Sequence, residues 1–108
     1  MKNKIYYPFT FSEHEGVSSL LLTDTKWDAF EKKGFMGNGH DWSRLIGNLV
    51  KDKFPNILEI LDFDSEADMF CVRSHDKEAL KEIANLVSLF YDDDNRLMEN
   101  ISKYAQYS

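Results

Sequence analysis

Carboxylates recur at every second position in Asp62-Phe-Asp-Ser-Glu-Ala-Asp68, and a second acidic run, Asp92-Asp93-Asp94, follows later in the chain. Alternating acids are what a calcium loop presents to its ion. An EF-hand loop beginning at Asp62 would need glycine sixth and glutamate twelfth, where this chain has Ala67 and Arg73. The segment is therefore read as a solvated strand-to-strand junction. Like charges this close repel unless a basic group meets them. A basic protein partner would do so, which makes Asp62, Asp64, Glu66, Asp68, Asp92, Asp93 and Asp94 the candidate partner-binding residues.

Other residues capable of chemistry lack the company they would need. His14, His40 and His75 are far apart in sequence and form no spaced pair of the kind that holds zinc on a helix. His40-Asp41 resembles an oriented imidazole, but no serine or cysteine stands in a nucleophile-elbow context beside it, and Ser43 falls in the first turn of a helix. Gly34, Gly37 and Gly39 suggest a phosphate loop, yet no lysine follows at the P-loop position and no strand precedes them at the right spacing. No catalytic set, metal site or cofactor site is expected. The glycines are read as a helix stop and a sharp re-entry, with Asp41 capping the next helix. A loop of this kind beside Trp42 also suits partner recognition.

The elements that position these residues follow from apolar spacing. Lys4–Phe11, rich in aromatics, reads as a strand pushed toward a sheet edge or bulge by Pro8, and Val17–Thr23 follows a polar turn containing Gly16 to complete a hairpin. Thr23 or Asp24 can cap a short helix in which Trp27 and Phe30 share a face and which Gly34 stops. Trp42, Leu45, Ile46, Leu49 and Val50 recur at helical spacing, which predicts a helix over roughly 41–53, ended by Phe54-Pro55. Ile57–Phe63 and Met69–Arg73 read as a second hairpin. Asp76 can cap a third helix lined by Leu80, Ile83, Ala84, Val87 and Tyr91, and the acidic run opens a fourth, lined by Leu97, Met98, Ile101 and Tyr104 or Ala105. The expected fold class is α+β, a mainly antiparallel sheet in the order ββααββαα with helices packed on it. Trp42, Leu45, Leu49, Phe70, Leu80, Ile83 and Val87 are its expected core.

A chain of 108 residues is the size of one domain, read here as spanning 1–108. It can bury roughly two thirds of its unfolded surface without a disulfide or metal. The single cysteine, Cys71, favours a reducing compartment. The amino-terminal residues do not read as a secretory signal, and no window approaches the roughly 18 apolar residues of a membrane span, so a cytoplasmic location is expected. The net charge of −6 is unevenly placed. Residues 1–54 carry eight Lys and Arg against seven Asp and Glu, whereas residues 55–108 carry five against twelve. Such acidity repels phosphate backbones and steers basic proteins.

Two stretches, Gly34-Phe-Met-Gly-Asn-Gly-His-Asp-Trp42 and Phe63-Asp-Ser-Glu-Ala-Asp-Met-Phe-Cys71, resemble the immunity protein family 51 of bacterial polymorphic toxin systems. A helix start like Ala79-Leu80 follows, as in the family, while His40 stands where an aromatic residue is usual. The resemblance runs from about Tyr6 to Ala105. It implies a binding inhibitor of a cognate toxin with no catalytic residue to carry over. Its motif positions here are Gly37, Asn38, Gly39, Asp41, Trp42, Asp64, Glu66 and Phe70, and they mark either the shared fold or the contact surface. The resulting expectation is an immunity protein that binds one toxin domain, with a basic nuclease domain as the candidate. The alternative is a small enzyme or ligand-binding domain using the Gly34–Trp42 loop.

Overall fold

Side chains in Val17–Leu22 alternate between half-buried and buried, as a strand packed on one face requires. The computed structural model of the chain describes residues 5–107 and places this strand, β2, second in a four-stranded antiparallel sheet. The other strands are β1 (Thr10–His14), β3 (Asp62–Phe63) and β4 (Phe70–Ser74), in the spatial order β1-β2-β4-β3, so that β2 pairs with β1 and β4. Glu15 and Gly16, both at positive φ (52° and 82°), make the two-residue turn that joins β1 to β2 in register. The helices are α1 (Trp27–Glu31), α2 (Gly39–Lys53), α3 (Lys77–Ser88) and α4 (Asp94–Tyr104), with a 3-10 helix at Pro55–Ile60. The order ββααββαα and the α+β class are as expected.

Leu20 and Leu22 on β2 and Phe70 and Val72 on β4 share the sheet face that α2 and α3 cover, and α4 lies against α2 and α1. All seven expected core residues are buried. Asp76 caps α3 by accepting from the Glu78 and Ala79 amides, again as expected. No helix among the described residues is long and apolar enough to cross a membrane.

Three expectations are corrected. The first strand does not occupy Lys4–Phe11. Lys4 lies outside the described residues, Ile5–Pro8 forms a turn with a cis Tyr7–Pro8 bond, and Tyr6 stacks on Phe11 at 4.1 Å. Ile57–Phe63 is mostly the 3-10 helix, begun by Pro55, with only Asp62 and Phe63 left to pair with β4. Finally, α1 is not capped by Thr23 or Asp24. It begins after Lys26, whose backbone is left-handed at φ 52°, and it runs for only five residues.

Candidate functional site

Within Gly34–Trp42 the residues from Gly37 to Gly39, with Asp41 and Trp42, answer local structural demands. Asn38 adopts an extended backbone and its side chain accepts from the Asp41 amide at 2.9 Å, so Asn38, not Asp41, is the cap of α2. Asp41 is the reciprocal member of the capping box. Its carboxylate accepts from the Gly37 and Asn38 amides at 2.7 and 3.3 Å and meets the Arg44 guanidinium at 2.6 Å. A buried carboxylate with these partners is fully compensated. The Trp42 indole N–H donates to the Thr25 carbonyl at 2.7 Å, and its ring packs between Phe30 and Tyr91.

Gly37 and Gly39 are required for close approach. A Cβ on Gly37, at φ +80°, would lie 2.4 Å from the Trp27 Cα, and one on Gly39 would lie 2.1 Å from the Met69 carbonyl oxygen. Gly39 also donates its amide to the Ala67 carbonyl at 3.2 Å. The start of α2 thus rests on the turn Glu66–Met69, whose ends exchange backbone hydrogen bonds. Below it the Ser43 and Ser65 hydroxyls meet at 2.6 Å, and Ser65 accepts from the Cys71 amide. The two motif stretches, separate in sequence, are therefore one joint. A loop too tight for a Cβ over Gly37 or Gly39 has no room there for a phosphate.

The seven candidate acids divide into three groups. Asp62 and Asp64 flank Arg73, at 3.8 and 2.6 Å, so the basic group that this pair requires comes from β4 of the same chain. Glu66 and Asp68 project from the exposed turn, and among the described residues neither meets a cation. Asp92, Asp93 and Asp94 gather at the amino end of α4, where the helix dipole favours them. Asp92 accepts from the Tyr7 hydroxyl at 2.6 Å, and this bond is the main reason that the Tyr7 hydroxyl is held above its ordinary range. Asp93 caps α4 through the Arg96 amide and pairs with the Arg96 guanidinium at 3.7 Å.

Little here favours covalent chemistry. His40 is exposed, the Ser43 hydroxyl is engaged by Ser65, and burial pushes the Cys71 thiol up, away from the reactive thiolate. An open cleft of about 540 Å³ on the sheet gathers His14, His75, Asp62 and Arg73, but the His75 Nδ1 faces the Gly16 carbonyl and Arg73 is held by its acids. Among the described residues no group of three or more His, Cys, Asp and Glu converges on a point where a metal could sit.

Apolar periodicity did not reveal what surrounds the loop. Trp27, expected to share the buried face of Phe30, is 58% exposed while Phe30 is fully buried. Met36 is 78% exposed. The signal that could have found them is the shortness of the helix between Thr25 and Gly34, too short to bury both of its aromatics.

No curated protein and no solved structure matches this chain. A family model does, that of Immunity protein 51, over residues 9–106, and the span takes in both joined motif stretches, the whole sheet and every helix. This chain belongs to the Immunity protein 51 family.

Proposed function

We propose that the protein confers immunity by stoichiometric binding to a cognate bacterial toxin domain, without catalysis, in the cytoplasm. The observation that carries this reading is the family match across residues 9–106. Support for binding over chemistry comes from the loop, where the motif residues are consumed by capping and close packing and leave no polar groups convergent on a substrate. The same packing weighs against a small enzyme or ligand-binding domain built on Gly34–Trp42. The acidic half of the chain supports a basic partner, and a nuclease domain whose phosphate-binding surface is imitated by carboxylates is the partner class proposed.

The test is co-expression, in a heterologous bacterial host, of this protein with the toxin domain encoded beside it. Restored growth, together with a one-to-one complex on size exclusion, is the expected outcome. Growth that stays arrested would refute the reading. Protection by protein present in large molar deficit would point instead to enzymatic inactivation.

A further inference from the structure

We infer that the contact with the toxin is centred on Trp27 and Met36, a rigid apolar knob rimmed by acids, and that its partner surface is a basic one with an apolar recess. The inference rests on the immunity reading above and deepens it. Trp27 and Met36 are large, apolar and mostly exposed, whereas the chain's other tryptophan, Trp42, is fully buried. Their backbones are close, because the backbone of Gly37, next to Met36, presses on the main chain of Trp27. Two residues further on, at most ~7 Å along the chain, Gly39 presses on the turn that carries Glu66 and Asp68. One rigid loop therefore ties an exposed indole and thioether to two exposed carboxylates that meet no cation among the described residues.

The presentation is fixed before any partner arrives. The Thr25 carbonyl is held by the Trp42 indole, the Asp24 carbonyl accepts from the Tyr91 hydroxyl, and the capping box locks Met36-Gly37-Asn38 from the other side. Lys26 adopts a left-handed backbone that a lysine rarely takes, immediately before Trp27 turns outward. Its ammonium lies over the Tyr91 ring at 4.6 Å, which ties the residue before Trp27 to the core. Preorganised aromatic side chains at the centre of an interface are what typically carry binding energy.

Charge selects the occupant. Asp28, one residue beyond Trp27, and Glu31, one turn further on, add to Glu66 and Asp68, and these four exposed acids outnumber the two exposed lysines of the same segment, Lys32 and Lys33. Two copies of such a face would repel, as would an anionic membrane or a nucleic acid. A basic protein surface is complementary.

The experiment measures binding of the purified toxin domain to the wild type, Trp27→Ala, Met36→Ala and, as an exposed apolar control elsewhere, Leu89→Ala. Each variant is first shown to melt at the wild-type temperature. Trp27→Ala is expected to weaken binding at least about 30-fold, mostly through faster dissociation and at every salt concentration, with Met36→Ala in the same direction. Leu89→Ala should stay within about threefold. If the wild type binds but both knob variants stay within about threefold, the inference is overturned and the immunity reading stands. If the wild type does not bind at all, both fall. Sedimentation of the protein alone guards against a second copy as occupant. A wild-type dimer that Trp27→Ala dissociates would assign the face to self-association and overturn the inference.

Discussion

Gly39 and Gly34 look alike in the sequence but are constrained by different physics. Gly34 has φ +88° and nothing within 4 Å of a would-be Cβ, so Gly34→Ala costs only the left-handed conformation, about 1–2 kcal/mol. Gly39 has ordinary dihedrals, but its Cβ would meet the backbone oxygens of Met69 and Glu66 at 2.1 and 2.2 Å. Backbone cannot rotate out of the way, so Gly39→Ala should cost about 3 kcal/mol, the upper end of overpacking, or prevent folding. Urea denaturation of the two variants checks the ranking, and equal losses would mean that the joint between the motif stretches gives way easily. Tyr104 supplies a pH prediction at the same scale. Burial and a hydrogen bond to Asp52 push its hydroxyl up to about 12, while that bond holds the Asp52 carboxyl below its ordinary value. A raised tyrosine contributes stability that is complete below about pH 10 and is lost as pH rises toward about 12; a depressed carboxylate contributes stability above about pH 4 that is lost as pH falls below it. Tyr104→Phe should therefore flatten both limbs of stability against pH, measured by denaturation midpoints across that range. Unchanged limbs would show that the pair is too exposed to matter.

Helices declared themselves where caps and apolar stripes agreed, and strands did so only where one face was buried along their whole length. Asp76 followed by Leu80, Ile83 and Val87 located α3 correctly, since one side-chain cap and one stripe at helical spacing admit few alternatives. Truncating the fully buried Leu80 to alanine should cost about 2–5 kcal/mol, whereas Asp76→Ala should cost about 1 kcal/mol, measurable in the same denaturation experiment. Comparable losses would mean that the stripe contributes far less than its burial implies. Where the sequence misled, long-range packing overrode local pattern. Tyr6 and Tyr7 look like strand residues, but they are committed to Phe11 and Tyr91, and the chain turns to let them reach those rings. Ile57 and Leu58 pack against the core from a 3-10 turn opened by Pro55, Leu61 does so just beyond it, and a short apolar run does not distinguish that from a strand. Asp41 looks like a cap because it stands next to the apolar stripe. Only the Asn38-to-Asp41 reciprocity, visible in three dimensions, moves the helix start back to Gly39. The candidate acids were legible as a composition but not as a set, because nothing in their spacing reveals that Arg73 lies between Asp62 and Asp64 or that Tyr7 reaches Asp92 from the far end of the chain.

At the scale of the whole molecule, a net charge of −6 concentrated in the second half would favour encounter with a basic partner, and the internal pairing of the acids ranks them for the proposed encounter. Screening at about 0.15 M salt limits exposed charges to a reach of about 8 Å, so association should slow as salt rises if acids steer it. The groups are not equivalent. Arg73 already offsets Asp62 and Asp64, and Arg96 offsets part of the Asp92–Asp94 cluster, so neutralising either should change the association rate modestly. Glu66 and Asp68 meet no internal cation among the described residues and stand beside the joint that carries the Trp27–Met36 knob. Converting both to their amides should slow association more than either other change, and should weaken its dependence on salt while leaving dissociation nearly unaltered, because exposed rim charges act mainly on encounter. Stopped-flow mixing of the toxin domain with wild type and the three neutralised variants, at low and high salt, separates the cases. Equal slowing by all three would mean that the partner senses only total charge. Rates indifferent to both salt and substitution would remove steering from the mechanism, leaving apolar contact as the source of recognition.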